Sequence, residues 1–421
     1  MNKPFQFSPN LNMSYLPLIP NSCAEIDRTL PESTPSSADR ITAGESPFST
    51  SELASFRERM REFARTYIAP YAAEWDEAGT FPLDLYRQAA QAGVIGAGFD
   101  PAYGGTGGDI RHTLIVKEEL ARFGSGGVRV GLTTHSIALP PLLALGNETL
   151  KRRIAPAVLR GEKLMALAVS EPSGGSDVAG IQTHAVEDGD HFVVNGRKLF
   201  ISTGIRADYY TLAVRTGVPG KAGLSLLLVE RGTPGFLQHP LKKMGWWSSD
   251  TAELVFDNCR VPRSNLIGEE GQGFVGLMKN FNQERLGNTA IVLGASKACY
   301  DEAVHWARNR LVFGAALIGK QVTRHKLVHM ATQIQAVDTQ LSLLAWRFGR
   351  GQADAAQIAM TKNLATETYE RCANEAVQIH GGHGVLRHNR VDRLFRESKM
   401  LSIGGGAAEI LKDLAARQLG L

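Results

Sequence analysis

Apolar positions recur three and four apart where the patterned chain begins: Leu53, Phe56, Met60, Phe63 and Tyr67 mark one face of a helix. Ser49-x-x-Glu52 reads as its capping box and Pro70 as its stop. Helical patterning continues to about residue 160, broken by the glycine loop Tyr103-Gly-Gly-Thr-Gly-Gly108. No β-run precedes that loop, which argues against a dinucleotide fingerprint. From about residue 164 the pattern is β. Residues 192–201 form two β-runs around Asn195-Gly196, a strong hairpin signal. Residues 209–214, 224–229 and 252–256 continue in the same character.

Beyond Gly271 the helical period returns. Leu327, Met330, Ile334, Val337, Leu341 and Leu344 form the seam of a bundle helix, with Thr323 as the expected N-cap. Ala290, Gly294 and Ala298 would let the preceding helix pack closely. The order predicts an N-terminal helical domain (48–163), a middle β domain (164–268) and a C-terminal helical bundle (269–421), with ligand sites at their junctions. Residues 1–47, rich in Ser, Pro and Asn, are expected to be a poorly ordered extension.

Composition narrows the function classes. The 421 residues are 43% hydrophobic and 21% charged, ordinary for a globular chain. The net charge of +4 comes without any run of five Lys/Arg, so nucleic acid is not an expected partner. Cys23, Cys259, Cys299 and Cys372 form no C-x-x-C pair, which suits a reducing compartment. No apolar run is read as reaching the roughly 18 residues of a membrane helix, and the N-terminus lacks the features of a signal or transit peptide. A soluble cytoplasmic protein is expected. His325 and His329 lie four apart, but with no third ligand evident they read as a solvated or packed pair, and no metal is expected. Neither G-x-S-x-G nor a Walker lysine loop is present, so hydrolase and NTPase readings gain no support.

Four segments remain. Residues 164–177 place Ser170 and Ser176 around Pro172 and Gly174-Gly175, and residues 198–204 carry Phe200 and Ser202. Arg310-Leu-Val-Phe313-Gly314, with Gln321, follows the first C-terminal helix, and Gln378-Ile-His-Gly-Gly382-His-Gly ends a later one. Singly, each is a turn or a cap. Together they supply hydroxyls, exposed amides, a cation and aromatics, which a flavin dinucleotide needs along its ring edge and pyrophosphate.

In that order and spacing, the four segments resemble the acyl-CoA dehydrogenase family over essentially residues 48–421. Ala168 to Asp177 is similar to the family's first signature, and Ser176 and Gln378 to Gly382 match family positions. The resemblance implies an α+β multidomain fold: an N-terminal α-helical domain, a middle β-barrel and a C-terminal four-helix bundle. It implies FAD as cofactor and an acyl-CoA substrate. It implies an electron-transfer flavoprotein as acceptor, and a homo-oligomer, usually a dimer of dimers, working in fatty acid metabolism and β-oxidation.

The implied chemistry removes an α-proton from the thioester and passes the β-hydrogen as hydride to the flavin. In many members the base is a glutamate in the last helical segment; here Gly405 occupies its place. In the long-chain and isovaleryl branches the glutamate comes from the first C-terminal helix, and this chain reads Asn282-Gln-Glu284-Arg285-Leu there. Glu284 is therefore the expected base. The Gly405 N–H is the expected oxyanion donor, and Ser176, Asn282, Arg285 and Gly406 are expected beside the substrate. Leu167, Val169, Ser170, Phe200 and Ser202 resemble residues around the flavin ring, with Ser176 contacting cofactor too. Arg310, Phe313, Gln321, Gln378 and Gly382 resemble those receiving the adenosine and pyrophosphate half from a neighbouring subunit. Ala407 and Glu409 are expected near the cofactor. Val312 and Ala407 stand where the family often has Thr. A flavin monooxygenase or oxidase on the same scaffold, or a non-catalytic acyl-CoA-binding protein, are the competing readings.

Overall fold

The computed structural model describes residues 37–41 and 50–421. Seven helices come first: α1 (Ser51–Tyr67), α2 (Ala72–Ala78), α3 (Asp84–Gln91), α4 (Ile110–Phe123), α5 (Gly126–Thr133), α6 (His135–Leu145) and α7 (Glu148–Leu159). Seven strands follow: β1 (Met165–Ala168), β2 (His184–Asp188), β3 (His191–Ser202), β4 (Tyr209–Arg215), β5 (Leu224–Glu230), β6 (Phe236–Pro240) and β7 (Thr251–Pro262). The C-terminal part holds α8 (Gly273–Asn309), the small hairpin β8 (Leu311–Val312) and β9 (Ala315–Ala316), then α9 (Gln321–Phe348), α10 (Ala355–His380), α11 (Arg390–Ser398), α12 (Met400–Ile403) and α13 (Ala408–Leu419).

Helix α1 starts one residue later than the sequence suggests. Thr50, not Ser49, is its N-cap, and the Thr50 hydroxyl accepts from the Leu53 N–H at 3.2 Å. Ser49 itself lies outside the described residues. Thr323 is not a cap either. Helix α9 begins at Gln321 after Lys320, and Thr323 is buried in its first turn. Of the segment expected to be poorly ordered, residues 1–36 and 42–47 lie outside the described part. Residues 37–41 are docked: the Ala38 N–H donates to Asp301 Oδ1 at 2.8 Å, and Asp39 pairs with Arg122 at 2.7 Å.

The strands form one curled sheet in the order β1-β4-β2-β3-β7-β6, with β5 on β4. Alternation along the strands divides two cores. Leu224, Leu226 and Leu228 of β5 join the core of the first seven helices, while Leu227 and Val229 face the sheet's own interior with Tyr210, Leu212 and Val214 of β4. Asn195-Gly196 is not a turn. The hairpin closes at Gly189-Asp190, where Asp188 pairs with His191, and β3 runs straight through Gly196. Gly196 instead sits at a register shift against β7, where a Cβ would come within 2.6 Å of Thr183 Oγ1. The extra residue bends a long strand around the curled sheet, which a flat hairpin reading of Asn-Gly does not foresee.

Helices α8, α9, α10 and α13 pack as the C-terminal bundle. Ala290 and Ala298 are buried on α8, and a Cβ at Gly294 would overlap the Glu118 carbonyl of α4, so α4 and α8 approach at backbone distance. The 20 residues Gly126–Leu145, across α5 and α6, are apolar and long enough to reach membrane-span length, contrary to the sequence expectation. They form core helix instead: Leu132, Ala138, Leu139 and Leu142 are fully buried among the first seven helices.

Candidate active site

Glu284 stands in the first third of α8, half-buried, and faces the turn between α12 and α13. Gly405 lies directly against it. Its φ is +70°, a conformation L side chains rarely adopt. A Cβ there would sit 3.5 Å from Glu284 Oε1 and overlap Asn288 Nδ2, one turn further along α8. So a carboxylate from α8 stands against the bare Cα of Gly405. Among the described residues the Gly405 N–H donates to no protein acceptor. Its turn is held from behind by α10: Lys362 Nζ donates to the Gly406 carbonyl at 2.8 Å and Asn363 Nδ2 to the Ala408 carbonyl at 3.0 Å.

The electrostatics around this point are unsaturated. Burial pushes the Glu284 carboxyl above the usual carboxylate range, against the partial opposition of Lys117, Arg285 and Lys362. Burial likewise lowers Lys117 and Lys362, each to about 8. Arg285 donates to Asn282 Oδ1 at 3.0 Å and leaves its Nε unpartnered. Asn288 Nδ2 is also buried and unpartnered.

The segments 169–171 and 198–202 are joined by a buried ion pair. Lys198 Nζ donates to Glu171 Oε1 at 2.8 Å and to the Val169 carbonyl at 3.1 Å. Glu171 also accepts from the backbone N–H groups of Gln182 and Thr183, and the Leu199 N–H donates to the Ser170 carbonyl at 2.8 Å. Lys198 and these donors hold the Glu171 carboxyl below its ordinary range despite its burial, which raises it. This joins Val169 and Ser170 to the second half of β3, where Phe200 and Ser202 lie; Leu167 is on β1. A second register shift between Lys198 and Ile201 sets Phe200 at φ 62° and leaves its ring 69% exposed. The loop carrying Ser176 folds back, with the Cβ position of Gly175 3.2 Å from Ser170 Oγ, and Ser176 is exposed.

A second group of residues lies elsewhere. At the far end of α8, Trp306 stacks on His380 at 4.8 Å and tilts toward His383 at 4.9 Å, tying the 310–314 hairpin to the 378–384 segment. Arg310, Phe313, Gln321, Gln378 and Gly382 are all exposed there. Phe313 occupies the β8–β9 turn at φ 49° with its side chain 99% exposed. Ala407 caps α13 and the exposed Glu409 is in its first turn. His325 and His329 are exposed on α9.

The two aromatic side chains fit a flavin dinucleotide. Both rings are exposed and held at positive φ; Phe200 is on the strand that carries Ser202, and Phe313 has Lys320 Nζ 5.8 Å from its ring centroid. A flat ring system would cover such faces. Sequence reasoning missed four contributors: Lys117, Asn288, Lys362 and the Glu171–Lys198 pair. The last was legible in principle, since both residues lie inside the quoted motifs. Lys117, a cation ending the apolar run Leu114-Ile-Val, was a second signal.

Comparison with known proteins is consistent along the chain. Residues 50–162, 166–259 and 271–420 match the N-terminal, middle and C-terminal domain models of acyl-CoA dehydrogenase. The chain is 35% identical over 373 residues to an acyl-CoA dehydrogenase of Bacillus subtilis, covering 88% of this chain and 98% of that one. It is 35% identical to the mitochondrial isobutyryl-CoA dehydrogenase of Bos taurus, covering 87% and 89%. Its fold matches the crystal structure of an acyl-CoA dehydrogenase from Geobacillus kaustophilus with TM-score 0.86 and 34% identity, covering 90% and 100%. Relatives with other names include an acryloyl-CoA reductase of Anaerotignum propionicum and the prolyl acyl carrier protein oxidase AnaB. The chain belongs to the acyl-CoA dehydrogenase family, FAD-dependent oxidoreductases that act on acyl-CoA thioesters.

Proposed function

We propose that the protein converts an acyl-CoA thioester to the trans-2-enoyl-CoA, with Glu284 removing the α-proton and an electron-transfer flavoprotein taking the electrons. FAD, when bound, supplies the acceptor for the β-hydride. The observation that carries this reading is the approach of Glu284 Oε1 to the empty side-chain position of Gly405. It supports a base of the long-chain and isovaleryl type, supplied from α8.

The surrounding residues serve that step. Burial raises the Glu284 pKa and so strengthens it as a base toward a weakly acidic carbon. The Gly405 N–H serves as donor to the thioester carbonyl, where enolate charge develops; the Lys362 bond to the adjacent Gly406 carbonyl supports this role by holding the turn. Ser176, Asn282, Arg285 and Gly406 border the substrate. Leu167, Val169, Ser170, Phe200 and Ser202 hold the flavin ring, with Ala407 and Glu409 close to the cofactor.

Arg310 lies 26 residues beyond Glu284 along α8, about 39 Å at 1.5 Å per residue. One cofactor in one chain cannot touch both ends. Arg310, Phe313, Gln321, Gln378 and Gly382 therefore serve the site of another copy, and the working unit is a homo-oligomer, a dimer of dimers in this reading. The pathway is fatty acid β-oxidation. Among the described residues Cys259, Cys299 and Cys372 are free and buried, which suits the cytoplasm.

Anaerobic mixing of the FAD-loaded protein with acyl-CoA thioesters tests the reading. The yellow flavin should bleach in the wild type, while Glu284→Gln keeps its flavin and does not bleach. Normal bleaching in Glu284→Gln overturns the assignment. Rapid oxygen consumption without an added acceptor favours an oxidase.

A further inference from the structure

Two neighbours of Glu284 have no role in the chemistry above: Lys117 of α4 and Asn288 of α8. Gly287 and Asn288 follow Glu284 by three and four residues on α8, so each shares its helix face, with side-chain positions about 5–6 Å from that of Glu284. Position 287 is where α4 reaches in. The three atoms nearest a Cβ there all belong to Lys117, with Nζ at 2.5 Å. A glycine at 287 therefore makes room for the lysine one turn from Glu284. Position 288 lies toward the α12–α13 turn. A Cβ at Gly405 would overlap Asn288 Nδ2 and lie 3.5 Å from Glu284 Oε1, so amide and carboxylate meet against the same bare Cα.

Lys117 is 5% exposed and has no ion-pair partner among the described residues. The groups facing it are Glu284, Arg129 of α5, which repels it, and His135 of α6, whose imidazole burial lowers to about 4 and so keeps neutral. Burial lowers Lys117 to about 8, and below that pH the ammonium is charged. Glu284 in turn faces Lys117 from α4, Arg285 and Asn288 on its own helix, and Lys362 from α10. Two of these cations are engaged elsewhere. Arg285 bonds Asn282 Oδ1, and Lys362 Nζ bonds the Gly406 carbonyl. Of the three, Lys117 is the cation whose charge is not shared with another acceptor among the described residues. A buried lysine and a buried carboxylate are each costly alone, and at this spacing each offsets part of the other's penalty.

We propose that Lys117 and Asn288 are positioning residues for the reaction: the Lys117 ammonium is the through-space counter-charge of the Glu284 carboxylate, and the Asn288 amide sets its direction against Gly405. The inference rests on Glu284 as the base and adds what holds that base in its working state. Without the ammonium, burial would keep Glu284 protonated to a higher pH, and a smaller fraction of the protein would be ready to take the α-proton.

The FAD-loaded protein tests this with two readouts. Infrared titration follows the Glu284 carboxyl through the protonated C=O band that Glu284→Gln lacks. The pH profile of kcat/KM for flavin reduction uses butyryl-CoA, hexanoyl-CoA and isobutyryl-CoA as probes. Lys117→Met should move both the titration and the acid limb upward by about one pH unit, the lower end of the effect of a nearby opposite charge. Gly287→Ala displaces the ammonium, since Lys117 is what its Cβ meets, and should move the titration too; it serves where Lys117→Met fails to fold. Asn288→Leu should lower kcat about tenfold, the worth of a hydrogen bond to a charged group, with KM little changed. A Glu284 titration that stays in place in Lys117→Met and Gly287→Ala overturns the counter-charge. Unchanged kcat in Asn288→Leu overturns the role of the amide. A titration that moves while the acid limb does not, or a flavin that no probe bleaches, removes Glu284 as the base and leaves the infrared result to decide the counter-charge by itself.

Discussion

The α4–α8 contact has two ends that treat charge in opposite ways. At one end Glu118 of α4 meets Lys297 of α8 at 2.8 Å and Arg57 of α1 at 2.8 Å, and Lys297 also meets Asp338 of α9 at 2.8 Å. Burial would raise the Glu118 carboxyl, but Arg57 and Lys297 together hold it well below its ordinary range. At the other end, Lys117 and Glu284 lie in the same interface with no ion-pair partner within reach; Asn288 is the hydrogen-bonding neighbour of Glu284. The two lysines share a helix pair and differ in what surrounds them. Where charge holds helices together it is matched group for group; beside Gly405 it is left open, as perturbed groups at functional sites often are.

The largest effect expected from breaking this contrast is at the open end. Glu284→Gln should slow flavin reduction by about 10² to 10⁴, the usual worth of a general base, with melting temperature little changed. In the wild type, kcat/KM should fall as pH drops through the Glu284 pKa, at a pH above the ordinary carboxylate range, because only the ionised form takes a proton. An acid limb at the ordinary carboxylate pKa contradicts the raised value.

The matched end should answer in stability. Lys297→Met leaves Glu118 and Asp338 short of a partner inside the bundle, at about 3–5 kcal/mol by denaturant melting. A cost below about 1 kcal/mol, the range of an exposed pair, would show the network to be dispensable.

A third site sharpens the comparison. Glu397 of α11 is buried with Oε1 unpartnered, and burial raises it to about 7 although Arg393, Arg129 and Arg396 oppose. The fold favours its protonated form. Stability should therefore decline as pH rises from the ordinary carboxylate value to about 7, and level off above. The total is on the order of 3 kcal/mol for a shift of this size. Glu397→Gln should remove that slope in melts across pH 4 to 8. The smallest effect belongs to the surface: Arg260 meets Asp188 at 2.5 Å with both half exposed, and Arg260→Ala should cost under about 1 kcal/mol.

Periodicity and turn residues along the chain already determined the helical, β, helical order, the seam of α9 and the strands at 209–214, 224–229 and 252–256, though not β6, because burial on one face imposes a period that is local in sequence. Family-like motifs also placed Glu284 opposite a glycine. The cap at Thr50 and the bulge at Gly196 were decided by neighbours the pattern cannot show: the Leu53 amide in one case, and Thr183 and β7 in the other. The open lysine depends on tertiary structure alone. Whether a buried charge is matched turns on which side chains other helices bring to it, and adjacent residues 117 and 118 on one helix face different neighbours with opposite results.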